Sequence, residues 1–312
     1  MGVRREIMSD PEARKAFVDG VLALKEEDSG ITTAQLGIPG SADAVSTYDL
    51  FIVWHHLAMG RMTPSGQADR NAAHSGPAFL PWHRLMLLLF EMQVQRVLGM
   101  PDFGLPYWDW AADGELAPGE QPQTPLWGDA GIGGSGDPVA DGPFRGGEFE
   151  VRLVSDGVVR LVKAGRPLRR RLGVSSMAST LPTVADVATT LGLGEYDAFP
   201  WNSSSGGFRN VLEGWPNGPS LHNRVHVWIG GDMERASSPN DPAFFLNHVN
   251  VDRIWQAWMR DNGAEYLPDA TAPAALLGHR RDDPLYSILI SETVTPADLL
   301  DVSAFYTYDE LP

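Results

Sequence analysis

The sequence predicts a mainly α fold, a four-helix bundle with long irregular loops and minor β structure. Four segments with apolar residues at helical spacing predict the bundle, at about 46–60, 81–98, 219–229 and 241–261. Most of the histidines fall in or beside these segments, in two groups. Two helix pairs that direct their side chains to a shared centre would produce this pattern.

The N-terminal half contains three predicted helices. The first covers 10–26, where Asp10 and Pro11 supply a cap and a first-turn proline. Residues 28–46 are rich in Gly, Ser and Ala, which is typical of a loop. The helix at 46–60 is closed by Gly60, and the helix at 81–98 is nearly continuous in apolar residues. A helix of that composition is buried on most sides.

The C-terminal half follows an irregular stretch. Residues 112–150 are dominated by Gly, Pro, Asp and Ser, and we interpret them as a surface loop and not a linker between domains. Residues 149–163 alternate in part and predict a small hairpin with its turn at Asp156-Gly157. The last predicted helix begins at Asn240-Asp241-Pro242, which supply cap residues and a first-turn proline. We expect one domain over residues 1–312.

Charge and composition exclude several classes of function. The 24 Lys and Arg residues are outnumbered by 40 Asp and Glu, which gives a net charge of −16. Nucleic acids and anionic membranes are therefore not expected partners, because both are bound mainly through cations. Cysteine is absent, so any metal must be bound by His, Asp or Glu.

No targeting or membrane segment is visible. The N-terminus lacks an apolar signal region, and the longest strongly apolar run covers only 85–90. We expect a cytoplasmic protein, unless another protein carries it out of the cell.

The placement of the eight histidines is the most informative feature. His222 and His226 are four residues apart on a predicted helix, so both imidazoles lie on one face and can hold one metal. A zinc protease needs Glu after the first histidine, and Asn223 occupies that position. His248 can supply a third nitrogen.

A second group consists of His55, His74 and His83, two within predicted helices and one in the loop between them. A single histidine on an apolar helix is more often a core residue than a ligand, but each buried imidazole needs a partner. Two groups of three imidazoles suit copper, iron or zinc, and the spacing does not choose among them.

Several stretches together resemble the tyrosinase family, in its bacterial, Streptomyces-like form that includes o-aminophenol oxidases. They lie in the order of the family and span nearly the whole chain. They are Trp54-His55, 74–84 (HSGPAFLPWHR), 105–110 (LPYWDW), 221–231 (LHNRVHVWIGG) and 238–255 (SPNDPAFFLNHVNVDRIW).

The resemblance implies a type 3 binuclear copper site with dioxygen as co-substrate. His55, His74 and His83 would bind the first of two copper ions, and the second would be bound by His222, His226 and His248. Small phenolic substrates, namely o-diphenols, o-aminophenols and monophenols, would be oxidised to o-quinones or quinone imines. A haemocyanin-like protein that binds dioxygen without turnover is the alternative.

The resemblance also assigns roles around the metals. Glu213 and Asn223 match positions that hold a water able to deprotonate a monophenol. Val227, Phe244 and Asn247 are assigned to the substrate pocket. Other residues are expected to be structural: Asp252 paired with Arg4 or Arg5, His56 beside its ligand neighbour, and His279 on the surface.

The chain departs from the family at a few points. Asn247 stands where histidine is common, which alters the polarity near the pocket, and a Cys–His thioether is impossible. Residues 306–308 resemble the tyrosine pair that closes the catalytic domain, so we expect no shielding domain and activity without proteolysis. Streptomyces-type relatives use a small copper-delivering helper protein for copper loading and export, and such a partner is expected here.

Overall fold

The computed structural model describes residues 1–155, 157–215, 218 and 220–312. These residues form eight α-helices and three two-stranded sheets, and the mainly α fold is confirmed. The helices are α1 (Pro11–Glu26), α2 (Thr47–Gly60), α3 (Phe79–Leu98), α4 (Trp110–Gly114), α5 (Val184–Leu191), α6 (Phe208–Glu213), α7 (Leu221–Ile229) and α8 (Ala243–Asn262). The strands are β1 (Gly2–Arg4), β2 (Asp28–Thr32), β3 (Ala44–Ser46), β4 (Glu150–Ser155), β5 (Val159–Pro167) and β6 (Tyr306–Tyr308).

Local sequence explains where the predicted helices begin and end. The Asp10 carboxylate accepts hydrogen bonds from the first free N–H groups of α1, and the Ser46 hydroxyl does the same for α2. Helix α3 ends at Gly99, whose φ of 64° is left-handed and favours glycine. This helix begins two residues before Pro81, which still lies in the first turn, where no N–H donor is required.

Aromatic side chains join the helices that carry the histidines. Phe90 of α3 stacks on Phe245 of α8 with ring centroids 3.7 Å apart, and Phe51 of α2 meets Phe90 edge-on at 5.2 Å. Trp54 of α2 lies 5.0 Å from Trp82 of α3. Helix α1 packs outside α2 and α3. The side chains of α2, α3 and α8 therefore form one continuous core beneath the site.

Two irregular regions differ from expectation. Residues 28–46 contain the antiparallel pair β2–β3, so the loop prediction was wrong there. Residues 112–150 are irregular, but they are not simply a surface loop, because Leu126, Trp127, Ile132 and Phe144 are buried. Apolar residues scattered among glycines and prolines have no helix or strand period, and a composition argument therefore misses their burial.

The remaining elements match the prediction in part. Strands β4 and β5 form the predicted hairpin, and β5 continues to Pro167; Asp156 of the predicted turn lies outside the described residues. The predicted start of α7 at 219 also lies outside them. Helices α4, α5 and α6 were missed because they have only five, eight and six residues. So few residues carry little periodic signal.

A buried network ties the first and last strands to the helices. Strand β1 pairs in parallel with β6. The guanidinium of Arg4 donates to Glu91 at 2.9 Å and to Asp252 at 3.1 Å. Of the two arginines expected to pair with Asp252, Arg4 and Arg5, it is therefore Arg4 that does so. Asp252 also accepts from Arg84 and from the hydroxyl of Tyr308. Because Arg84 follows His83 and Asp252 lies one turn after His248, the network fixes α3 against α8. Among the described helices, none is both long and apolar enough to cross a bilayer.

Candidate metal centre

The six predicted histidines form two compact groups. In each group the candidate ligand atoms lie within 4.8 Å of one another. We call them the first triad (His55 on α2, His74 before α3 and His83 on α3) and the second triad (His222 and His226 on α7 and His248 on α8).

The triads face each other across a short gap. The rings of His83 and His248 are stacked with centroids 4.2 Å apart and planes only 13° apart. The ring centroids of His74 and His222 lie 6.4 Å apart, also across the gap. The stacked pair comes from α3 and α8, which the buried Arg84–Asp252 ion pair fixes together.

Three rings have one nitrogen fixed by a main-chain carbonyl. Nδ1 of His55, His83 and His226 lies 2.7, 2.8 and 2.8 Å from the carbonyl oxygens of Ala236, Phe79 and Met233. A carbonyl can only accept, so each Nδ1 must carry the proton and each Nε2 presents its lone pair. Among the described residues these three buried Nε2 atoms have no hydrogen-bond partner. Such orphaned acceptors, all directed into one centre, fit metal ligation.

The second triad gives a further test of fit. Nε2 of His222 lies 3.1 Å from Nε2 of His248. Two nitrogens about 2.0–2.1 Å from one ion, at roughly a right angle, are about 3 Å apart. Nδ1 of His222 is directed at the carbonyl of Glu213 at 3.1 Å and at Oδ1 of Asn223 at 3.0 Å. Nδ1 therefore carries the proton, and Nε2 presents the lone pair that can bind a metal.

Burial keeps the imidazoles neutral. Desolvation lowers the pKa of His55 to about 3 and that of His226 to about 4. Desolvation, reinforced by the neighbouring imidazoles, lowers the pKa values of the other four well below the usual range. Neutral imidazole is the form that binds a metal. With six nitrogens and no thiolate or carboxylate, the donor set fits copper.

The chain matches the family model described as the common central domain of tyrosinase over residues 45–261. The chain therefore belongs to the tyrosinase family. It is 41% identical to a tyrosinase of Streptomyces glaucescens, over 84% of this chain and 88% of that protein. It is also 37% identical to the grixazone synthase of Streptomyces griseus, over 96% of each.

The solved structure of a polyphenol oxidase from Thermothelomyces thermophila has the same fold. Its TM-score is 0.74 at 21% identity, and the alignment covers 99% of this chain and 89% of that one. Tyrosinase-family membership makes this chain a copper-dependent oxidoreductase, and the two triads fit the binuclear site that the family implies.

Glu213 and Asn223 lie next to the second triad of this tyrosinase-family site. The Glu213 carboxylate is fully buried; Oε1 accepts from the N–H of Ser75 at 2.7 Å and Oε2 from Arg209 at 2.9 Å. Burial raises the pKa of this carboxyl, and the opposing charge of Arg209 only partly offsets that rise. Oδ1 of Asn223 accepts from Nδ1 of His222, and its Nδ2 donates to the carbonyl of Gly214. Both residues therefore also orient the site.

Phenylalanines line the gap between the triads. The ring of Phe244 lies 4.1 Å from that of His248 and 5.1 Å from that of His55, and its side chain is fully buried. Phe79 was not singled out from the sequence, yet its ring lies within 4.9 Å of those of His83 and His222. Each phenylalanine precedes a triad histidine by four residues on the same helix, and this spacing could have revealed Phe79.

The other expected pocket residues differ in exposure. Val227 of α7 is partly exposed, whereas Asn247 is fully buried and neither amide atom has a partner among the described residues. His56 stays outside the triads and lies 2.7 Å from the hydroxyl of Ser155. The prediction that His279 lies on the surface was wrong, because it is fully buried against Gly76, close to His74.

Proposed function

We propose that this chain binds two copper ions and uses dioxygen to oxidise o-diphenols, o-aminophenols and monophenols to o-quinones or quinone imines. His55, His74 and His83 would hold one ion, and the other would be held by His222, His226 and His248. The observation that carries the proposal is the pair of facing triads of neutral imidazoles, five of the six residues being buried. Bound copper would supply the dioxygen and electron-transfer chemistry that these side chains lack.

The exposure of the second triad supports a route for the substrate. His226 is the one residue of the six that is partly exposed, although its Nε2 is buried, and Asn223 and Val227 on the same helix are also partly exposed. A phenol approaching along this face of α7 would meet the second triad first. The buried rings of Phe79 and Phe244 pack against the inner side of the gap.

Proton removal from a monophenol is assigned to a water held by Glu213 and Asn223. A carboxyl group whose pKa is raised by burial is a stronger base once it is ionised, and Arg209 favours that ionised form. The hydrogen bonds of Glu213 to Ser75 and Arg209 use one lone pair on each oxygen. Each carboxylate oxygen can accept more than one hydrogen bond, so a water can still be held.

Oxygen uptake with several substrates tests the proposal. Copper-loaded protein is given tyrosine, catechol or 2-aminophenol, and both oxygen and product absorbance are followed. We expect turnover of catechol and 2-aminophenol, and slower turnover of tyrosine because it needs the extra deprotonation step. Stoichiometric dioxygen binding without turnover of any substrate would contradict an oxidase and support the haemocyanin-like alternative. Oxidation of catechol alone would limit the proposal to o-diphenols.

A small copper-delivering helper protein is the proposed partner. Five of the six candidate ligands are buried, so copper must enter a closed site. We expect copper salts alone to load the purified protein slowly or incompletely. Loading that is fast and complete without any second protein would make a helper unnecessary. Should the chain leave the cell, we propose that it does so together with the helper.

A further inference from the structure

A second concave site lies apart from the gap between the triads. It is a cavity of about 350 Å³ between the β4–β5 hairpin and the segment 231–235. Five of the 24 basic residues of the chain line it, and we call it the arginine cavity: Arg160, Arg166, Arg169, Arg171 and Arg235. The chain has a net charge of −16, so five arginines around one cavity are unexpected.

Three acidic residues among the described ones also line the arginine cavity. They are Asp137, Asp232 and Glu234. Asp232 forms a paired contact with Arg166, and Asp137 lies 2.8 Å from Arg169. These pairs fix two of the arginines in place.

Two arginines of the cavity remain available to a ligand. Within the described part of the chain, neither Arg171 nor Arg235 forms an ion pair. Among the described residues, the Arg235 side chain makes only a long hydrogen bond, 3.5 Å, to the carbonyl of Ser155. Both side chains are exposed towards solvent and can move onto a bound molecule. Guanidinium groups bind phosphate and carboxylate oxygens in pairs of parallel hydrogen bonds.

We propose that the arginine cavity binds a small oxyanion with two negative charges, a phosphate ester or a dicarboxylate. A volume of about 350 Å³ is in the range of small-molecule sites and exceeds the size of a single chloride or phosphate ion. A long polyanion is excluded, because the rest of the acidic surface would repel it. Arg171 and Arg235, the two arginines without an ion pair among the described residues, match the two charges of a dianion.

The position of the cavity links its occupancy to the metal centre. Residues of the segment 231–235 line one wall of the cavity. Met233 within this segment and Ala236 directly after it supply the carbonyls that accept from His226 and His55. On the opposite wall, the hydroxyl of Ser155 contacts His56. A bound anion would join the two walls, and it should therefore slow the opening of both triads.

Calorimetric titration of the copper-loaded protein tests the binding site. The probes are glycerol 2-phosphate and succinate, at constant ionic strength maintained with sodium chloride. We expect one binding event for at least one probe, and a higher Tm in its presence. The double variant Arg171→Gln/Arg235→Gln should bind at least about tenfold more weakly, since each lost charge-assisted hydrogen bond weakens binding. Arg166 is left unchanged because it is bound to Asp232.

The matched control is Arg260→Gln, which removes an exposed arginine paired with Asp261 at the end of α8. This variant should bind the probes as the wild type does. If the double variant unfolds, the single variants Arg171→Gln and Arg235→Gln replace it. No binding of either probe, or equal binding by wild type and double variant, would overturn the proposal. Binding of only one probe identifies the ligand as a phosphate or a carboxylate.

Copper removal by the neutral chelator 1,10-phenanthroline tests the link to the triads. We expect the bound probe to slow copper removal from the wild type and not from the double variant. Probe binding with an unchanged rate of copper removal would leave the anion site in place but would overturn its link to the metal centre. Neither outcome depends on the substrate of the oxidase.

Discussion

The two triads orient their rings in the same way, but the helices that carry them differ in length. In each, two rings are oriented through Nδ1 by neighbouring acceptors, while Nδ1 of the third ring, His74 or His248, has no partner among the described residues. All three rings of the first triad are buried, and two of them lie on the long helices α2 and α3. The second triad places two rings on the nine-residue helix α7, and His226 is partly exposed.

This difference separates a fully buried triad from a partly exposed one. Neither half is independent, however. The ring of His55 in the first triad is held by Ala236, which lies between the two helices of the second. Glu213 bonds the backbone of Ser75, next to His74, while its own carbonyl faces His222. The geometry of each triad therefore depends on residues from the other half of the chain.

Removing one ligand from each triad should have the largest effect. His83→Ala and His226→Ala should each lower the copper content from about two ions to about one and abolish oxidase activity, because both ions must engage one dioxygen. The two variants should differ in stability. Loss of the fully packed His83 ring should lower the free energy of unfolding by about 2–5 kcal/mol, as for other buried deletions. Loss of the partly exposed His226 ring should lower it less.

Metal analysis and urea unfolding measure these two effects. His56→Ala is the matched control, since this ring lies beside His55 but outside both triads, and it should retain two copper ions. One tightly bound zinc ion and no copper in the wild type would contradict the assignment of the site.

Glu213→Gln and Asn223→Ala should separate proton transfer from positioning. If the two residues hold the basic water, each change should reduce monophenol turnover by about 10²–10⁴-fold. Turnover of o-diphenols and o-aminophenols should fall much less, since they need no ortho-hydroxylation. Copper content should stay at two, because the carbonyl of Glu213 still accepts from His222 in both variants. Steady-state rates on tyrosine and catechol give the comparison.

Equal losses on both substrates would assign a positioning role to these residues. The hydrogen bond from Ser75 to Glu213 and that between Asn223 and His222 are the contacts through which such a role would act.

Acid should destabilise the copper-free protein through its buried histidines. The pKa of His55 is lowered from 6.5 to about 3 and that of His226 to about 4. Between 6.5 and these values the unfolded chain binds protons that the folded chain does not, so the free energy of unfolding falls as the pH falls below about 6.5. For His55, which is 2% exposed, the slope is at most about 1.4 kcal/mol per pH unit.

Urea unfolding of the copper-free protein at pH 7.5, 6 and 5 measures this slope. His55→Gln should make it shallower, because one group that takes up a proton on unfolding is gone. The contribution of His226 should end at a higher pH than that of His55, since its folded pKa is higher. A free energy of unfolding that does not change between pH 7.5 and 5 would contradict burial of neutral imidazoles.

Of these variants, Asn247→Leu should change stability least, and it should not lower it. The amide of Asn247 is buried and unpartnered among the described residues, so a leucine of similar volume should leave Tm unchanged or raise it. The matched control is Asn240→Leu. Asn240 is equally buried, but its Nδ2 donates to the carbonyls of Leu153 and Ser237. The control should lose about 1–3 kcal/mol. Equal destabilisation by both changes would indicate that ordered water satisfies Asn247.

The sequence predicted the triads better than their surroundings. The i,i+4 pair His222 and His226 is a local signal, His248 was added from its place on the next predicted helix, and the resemblance to tyrosinases then assigned the six ligands to two copper ions. His279 was misplaced, because its polar neighbours favour a surface position, whereas the structure packs its ring against Gly76. That contact joins residues about 200 positions apart, and no local pattern reports it.

Helices and ion pairs show the same limit. The long helices carry enough periods to be recognised, but the six residues of α6, which hold Glu213, do not. The pairing of Arg209 with Asp197 and Glu213 was not predicted. A buried arginine depends on which carboxylates the fold brings to it, and a charge count over the chain does not contain that information.

The role of the Met233 and Ala236 carbonyl oxygens cannot be tested by changing side chains. They orient His226 and His55, yet every amino acid offers the same oxygen at those positions. Alanine scanning would therefore miss this role, because position 236 is already alanine and a loss on truncating the buried Met233 would be read as lost core packing. Only a change to the main chain itself, such as replacement of a peptide link by an ester or a deletion that shifts the segment by one residue, would reveal that this stretch sets the position of two imidazoles.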